Sequence, residues 1–193
     1  MKDKYPNYYK NINFIFNDVD TIPTDKNILQ YETEPGVIKH FYGFDFALGG
    51  IFSIRGADFE RANGFPGFWG WGMEDNAMNN RVLATNSIIN RSNFYPLGTE
   101  KIMQHLDKPY RLIANKDTSR YRENTQDGLS TIRNLKYTID GYMINTTSFS
   151  NSIDPSKEEF YTQNMAIDDK VHFNLVEKVR KAKRWQMSNL VRS

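Results

Sequence analysis

The sequence contains no cysteine. That excludes disulfides, zinc–thiolate centres and a cysteine nucleophile. It contains only three histidines, His40, His105 and His172, too few for a histidine-rich metal site. Its apolar runs are a handful of residues long, far short of the roughly 20 that a membrane-spanning helix needs. The opening residues, MKDKYPNYYKNINFIF, lack the apolar core of a signal peptide. Neither sign of charge dominates: 25 basic residues face 23 acidic ones, for a net charge of +2. Bulk electrostatics therefore gives no reason to expect nucleic acid as a partner. What is present is a 39% hydrophobic share, with 14% aromatic residues, in a chain of 193. That is enough to bury the core of one domain, or of one domain and a tail.

The apolar residues are organised chiefly at strand spacing. Ile12 to Val19 (INFIFNDV) reads as a buried strand running out into acidic residues. Ile22-Pro23-Thr24 reads as a turn. Residues 36–48 predict one or two short strands, and Ile51 to Ile54 predicts another. Gly49-Gly50 between them allows unusual backbone angles or close approach to a ligand. Residues 57–63 predict a short helix ended by Gly64. Residues 64–73 (GFPGFWGWGM) hold too much glycine, proline and aromatic for a regular element and predict a loop. Glu74 to Ala84 predicts a helix, with Met78, Val82 and Leu83 on one side and acidic residues in its first turn. Residues 99–105 predict a strand near their end, and 106–126 irregular chain. Leu129 to Ile144 predicts β-structure with a turn at Asp140-Gly141. Residues 1–150 are thus expected to form one domain, and 151–193 a linker followed by a C-terminal basic helix. In that tail Val171, Leu175, Val179 and Ala182 lie at helical spacing. The basic run Lys178, Arg180, Lys181, Lys183 and Arg184 fits a solvated face, or contact with an anionic surface.

Three features could carry chemistry. Asp18-Val19-Asp20 follows the first strand, and two carboxylates one residue apart can hold a hard divalent cation beside a diphosphate. They equally suit a solvated loop. The segment GFPGFWGWGMEDN (Gly64 to Asn76) presents flat aromatic faces, which sugars bind, beside Glu74 and Asp75, either of which could act as general base. It also fits a core-filling loop followed by helix-capping carboxylates. His105 is a possible metal ligand or an ordinary side chain.

Taken in order, FIFNDVDTIP, LGGIFSI, FERANGFPGFWGWGMEDNAMNNRV and a late histidine resemble the β-1,4-galactosyltransferase family over roughly residues 12–150. NGFPGFWGWGMED (Asn63 to Asp75) is the most specific block, and Asp127-Gly128-Leu129 also matches the family pattern. The resemblance implies an α/β protein with a GT-A-like mixed sheet flanked by helices. It implies a metal-dependent inverting glycosyltransferase that moves galactose or N-acetylgalactosamine from a UDP-sugar donor to a glycan acceptor. By the same resemblance, Asp18 and Val19 lie by the nucleotide, and Asp20 and His105 are ligands to Mn²⁺. Gly50 approaches the donor sugar, Trp71 closes over it on a mobile loop, Glu74 holds sugar hydroxyls and Asp75 is the catalytic base. A non-catalytic carbohydrate-binding or accessory module derived from such an enzyme is the alternative.

The sequence departs from the family pattern at four positions. Asn76 replaces a third acidic residue, and Met73 a glycine. Ile102 stands three before His105, where the family often has a metal-binding side chain, with Met103 one step on. Ala47 takes the place of a bulky donor-pocket residue, which would leave room for an N-acetyl group. Only 17 residues precede Asp18. The family's N-terminal nucleotide-binding strands are therefore expected to be missing, or to be supplied by a further segment or partner chain. With neither anchor nor cysteine, a cytoplasmic location is expected.

Overall fold

The computed structural model describes residues 1–2, 4–105 and 110–164. The expected C-terminal basic helix lies outside the described residues.

Chain order is β1 (Asn13–Asn17), β2 (Thr21–Pro23), β3 (Val37–Gly43), β4 (Ile51–Arg55), α1 (Gly56–Arg61), α2 (Glu74–Ala84), β5 (Ile88–Asn90), β6 (Tyr95–Pro96), β7 (Ile102–Gln104), β8 (Tyr110–Ala114), α3 (Asp117–Glu123), β9 (Arg133–Asp140), β10 (Met143–Ser150) and β11 (Phe160–Asn164). The central sheet is mixed. β4 pairs antiparallel with both β1 and β3, while β5 and β6 pair parallel with successive parts of β3.

β4 explains why the sheet sits in the middle. Its residues Ile51 to Ile54 are all buried, as expected of a strand covered on both faces. On one face Phe52 and Ile54 join Ile38, Leu48, Ala62, Met78 and Val82, so α1 and α2 form the covering layer. Phe14, Phe16, Phe59 and Phe65 extend this cluster, with Phe16 stacked on Phe52 at 4.8 Å between centroids. On the other face Ile51 joins Leu29, Phe41, Tyr42 and Ile102. Met78 and Val82 of α2 are buried as expected, but Leu83 is exposed.

Three local expectations need correction. Ile22-Pro23 is not a turn but part of β2, which pairs antiparallel with β7; Pro23 fits because the ladder is short. Residues 106–126 are not wholly irregular: they contain β8 and α3. The described part of the expected linker, 151–164, folds back as β11 against β8, with Phe160 opposite Ala114 and Asn164 opposite Tyr110. Both strands are short and polar in places, so neither signals itself without its partner some fifty residues away. The β9–β10 hairpin turns at Gly141, as expected, and every residue of both strands is exposed.

Charge holds β11 and α3 in place. Arg120 on α3 donates to both carboxylate oxygens of Glu158 at 2.7 and 2.8 Å, and to Asp117 at 2.9 Å. The Glu158 and Asp117 side chains are almost wholly buried, at 3% and 4% exposure. Removing the guanidinium strands two carboxylates out of water. Arg120→Met is therefore expected to cost about 3 kcal/mol, lowering the unfolding midpoint in calorimetry by about 6–12 °C. A midpoint within about 2 °C of the parent's would show that the pair contributes little.

Candidate functional site

The turn after β1 presents the two aspartates. Thr21 N–H and its hydroxyl both donate to Asp18 O, at 3.0 and 2.9 Å, and Asn17 Nδ2 donates to the same oxygen at 2.7 Å. This closes Asp18-Val19-Asp20 into a tight turn with Val19 fully exposed. Asp20 is then joined to the late histidine by the β2–β7 ladder. His105 N–H donates to Asp20 O at 2.7 Å, which extends the register of Thr21 opposite Gln104 and Ile22 opposite Met103. Residues two apart on a strand share a face. Met103 and His105 therefore lie on the same face as Asp20, whereas Ile102 is buried in the core. Position 102 therefore faces the core, while Met103, two residues before His105, shares its face.

The Gly49-Gly50 segment joins this turn to α2. Asp18 N–H donates to Gly50 O at 2.9 Å, and Leu48 N–H donates to Asp75 O at 3.0 Å. Gly50 has φ +68°, and a Cβ there would collide with the Tyr42 carbonyl. A Cβ on Gly49 would collide with the Asp75 carboxylate itself. Only two glycines let the strand end and the helix start approach so closely.

Asp18, Glu74 and Asp75 feel one another. Asp75 is pushed up to about 7, first by burial and then by the charges of Glu74 and Asp18. Asp18 is pushed up to about 6 by desolvation and by Asp20 and Glu74, against a backbone hydrogen bond from Gly50 and the charge of Arg111. Asp18 lies at an exposed turn, where solvent contact weakens both its desolvation and the repulsion of its neighbours. Glu74 is also raised by burial, although Gly72 N–H donates to its Oε2 at 2.7 Å. Even Tyr42 is raised, by burial and then by Asp20 and Asp18; its hydroxyl donates to Gln104 at 3.1 Å.

The aromatic segment 64–73 has no regular structure, as expected, but its backbone is held at several points. Buried Asp127 accepts from Gly67 N–H, and buried Asp117 accepts from Gly70 N–H at 3.1 Å. Trp69 Nε1 donates to Ile153 O at 2.8 Å, and its ring stacks on Phe149 at 5.4 Å. Trp71 N–H donates to Leu112 O at 2.7 Å, while the Trp71 ring remains 42% exposed with Arg111 over it at 5.8 Å. Asp127 stood out in the sequence only within a block matching the family pattern, not as a loop anchor. Asp117 had no such signal, because it lies in a stretch read as irregular.

The expected site residues thus fall into two connected sets. Asp18, Val19, Asp20 and His105 lie along the β1–β2 turn and β7. Gly50, Glu74 and Asp75 lie at the junction with α2, with Trp71 at the loop just before it. Asp20 and His105 offer a hard oxygen and an imidazole, a donor pair that suits a divalent ion such as manganese. Among the described residues no group of three or more histidine, cysteine, aspartate or glutamate side chains could hold a metal.

Residues 38–106 match a family model described as the N-terminal domain of galactosyltransferase. Human β-1,4-galactosyltransferase 2 is 28% identical over 167 residues, which is 80% of this chain and 40% of that protein. The mouse β-1,4-galactosyltransferase 2 is 31% identical over 137 residues, 62% of this chain and 36% of that protein. The chain therefore spans about two fifths of the length of these relatives. In three dimensions it is similar to the catalytic domain of Drosophila β-1,4-galactosyltransferase 7 in complex with xylobiose. The TM-score is 0.54 at 19% identity, covering 75% of this chain and 69% of that one. A mutant of the same enzyme, in complex with manganese, UDP-Gal and xylobiose, matches equally at 18% identity. At such identity the likeness concerns the fold, which is that of a GT-A galactosyltransferase catalytic domain. In sequence this chain is similar to β-1,4-galactosyltransferases, and in fold to a solved catalytic domain of one.

Proposed function

We propose that the chain is the catalytic part of an inverting, metal-dependent glycosyltransferase. It transfers galactose or N-acetylgalactosamine from a UDP-sugar to a hydroxyl of a glycan. The observation that carries this reading is the placement of Asp75. Its carboxylate is packed on Gly49, and burial, then Glu74 and Asp18, push its pKa up to about 7. A general base works best with a pKa near the operating pH. Asp75 takes the proton from the acceptor hydroxyl. The freed oxygen attacks the anomeric carbon from the face opposite the diphosphate, and the bond to the diphosphate breaks. Asp20 and His105 would hold Mn²⁺, with Met103 on the same face of the ladder. When bound, the ion supplies positive charge against which the diphosphate leaves. Trp71, half exposed at the end of a backbone-anchored loop, offers a flat face to a sugar ring, and Glu74 a hydroxyl acceptor. Complexes of the Drosophila enzyme with UDP-Gal, manganese and xylobiose support the choice of donor, metal and acceptor class.

The direct test is mass-detected sugar transfer by the 193-residue chain with Mn²⁺, UDP-galactose or UDP-N-acetylgalactosamine, and a panel of glycan acceptors. Neither transfer nor donor hydrolysis, combined with metal-independent binding on a glycan array, would leave a sugar-binding module instead.

Two variants separate the roles. Asp75→Asn keeps shape but removes the base, so turnover is expected to fall about 10²- to 10⁴-fold while calorimetry still records UDP–Mn²⁺ binding. Asp20→Asn is expected to weaken Mn²⁺ binding, and UDP binding with it, because a charged oxygen is lost to a hard cation. Reversal of the two outcomes would reverse the assignments.

The pH dependence follows from the raised Asp75. Transfer needs the deprotonated form, so its rate is expected to rise with pH through about 7. Stability runs the other way. Asp75 holds its proton more tightly folded than unfolded, so folding takes up a proton between the ordinary carboxylate range and about 7. Its stabilising contribution is fully present at low pH and is lost as pH rises through that window. Asp75→Asn is therefore expected to melt about 5 °C higher than the parent at pH 8 without metal, and no higher at pH 4. Equal melting at pH 8 would place Asp75 in water rather than against Gly49.

A further inference from the structure

His40 is wholly buried in the middle of β3 and belongs to none of the expected site residues. Its ring is held at both nitrogens. Nδ1 lies 3.0 Å from Arg91 Nε, which can only donate, so Nδ1 carries the lone pair. Nε2 then carries the proton and donates to two carbonyls at once, Tyr42 O and Gly49 O, both at 3.0 Å. The ring packs edge-on against Phe94 at 4.9 Å. Burial and then the Arg91 charge lower its pKa to about 4, which keeps it in this neutral form at ordinary pH.

The two carbonyls belong to the two ends of one connection. The β3–β4 register slips between His40 and Tyr42, beside the Tyr42 carbonyl that His40 reaches. Gly49 lies at the far end, against the Asp75 carboxylate. Arg91 reaches two further points: its guanidinium donates to Ala47 O at 3.3 Å and to Asn79 Oδ1, on α2, at 3.5 Å. The pair thus ties β3, the 44–50 connection and α2 together beneath the junction where Gly50 receives Asp18 and Gly49 supports Asp75.

We propose that His40, held by Arg91, is a positioning residue that sets the Gly49-Gly50 segment between Asp18 and Asp75. This rests on the proposed transferase reading for its consequence in turnover, but not for its geometry. An apolar side chain at position 40 would fill the space and leave both carbonyls without their donor. The connection would then shift, and Asp75 with it. A displacement of about 1 Å at a reacting group costs on the order of 10²-fold in rate.

The test compares the parent chain with His40→Leu, His40→Gln and Arg91→Met, at a temperature at which thermal melts show all four folded. Gln can place an amide N–H near the Nε2 position and an acceptor toward Arg91. His40→Leu and Arg91→Met are expected to lose about 10- to 100-fold in kcat, with UDP–Mn²⁺ affinity within about threefold of the parent. His40→Gln should regain most of the loss. Carboxyl NMR titration supplies a readout that needs no turnover. In His40→Leu the Asp75 titration, which also feels Glu74 and Asp18, should move from about 7 toward ordinary carboxylate values as water enters beside Gly49. If the parent itself transfers nothing, the transferase reading fails while the titration still decides the positioning role. If the folded His40→Leu variant keeps parental kcat or, in an inactive parent, parental Asp75 titration, His40 is merely structural and the proposal is wrong. The same follows if His40→Gln is no better than His40→Leu in the property lost.

Discussion

The contact between the Gly49 backbone and the Asp75 carboxylate is the constraint on which the site depends. It requires a residue without Cβ at position 49 and a left-handed residue at 50. It also requires α2 to start where the β3–β4 connection ends. Because Asp18 is bonded to Gly50 and Asp75 to Leu48, the same few backbone atoms set the separation of the strand-end carboxylates from the helix-start carboxylates. The aromatic clusters on the helix-covered face hold β1, β4, α1 and α2 as one layer pair, so this junction is supported by the core rather than by a loop.

The electrostatics of the site oppose the fold. Asp18, Asp20, Glu74 and Asp75 converge, and the raised values of Asp18, Glu74 and Asp75 register the cost of bringing them together. Carboxylates with purely structural duties are treated differently. Asp117, Asp127 and Glu158 are each placed beside an arginine, Arg120 or Arg81. The contrast separates carboxylates that hold the chain together from carboxylates whose charge is left available for a ligand.

Much of this was legible in the sequence where the signal is local. The apolar run ending at Asp18-Val19-Asp20, the paired glycines and the acidic start of α2 each announce an element by composition within a dozen residues. The juxtaposition of Asp20 with His105 was not legible from spacing, because it depends on β2 and β7, three-residue strands some eighty positions apart. The anchors of the aromatic loop were hidden for a related reason. Asp117 and Asp127 act through backbone N–H groups of Gly70 and Gly67, and a carboxylate that accepts from distant main chain leaves no periodic trace. His40 was invisible as well: a single histidine in a β-type run has the same appearance whether it faces solvent or two buried carbonyls.

Met73 stands at the start of α2 with φ +68°, a backbone region that ordinary side chains enter at a cost of about 1–2 kcal/mol. It occupies a place where the resembling family has glycine. Glycine would hold the same turn without strain but would also open many other conformations to the chain there. Methionine narrows that choice. The restriction on the turn between Trp71 and Glu74 is therefore written into a main-chain dihedral rather than into a contact, and any swing of the tryptophan must hinge on the glycines on either side of it, Gly70 and Gly72.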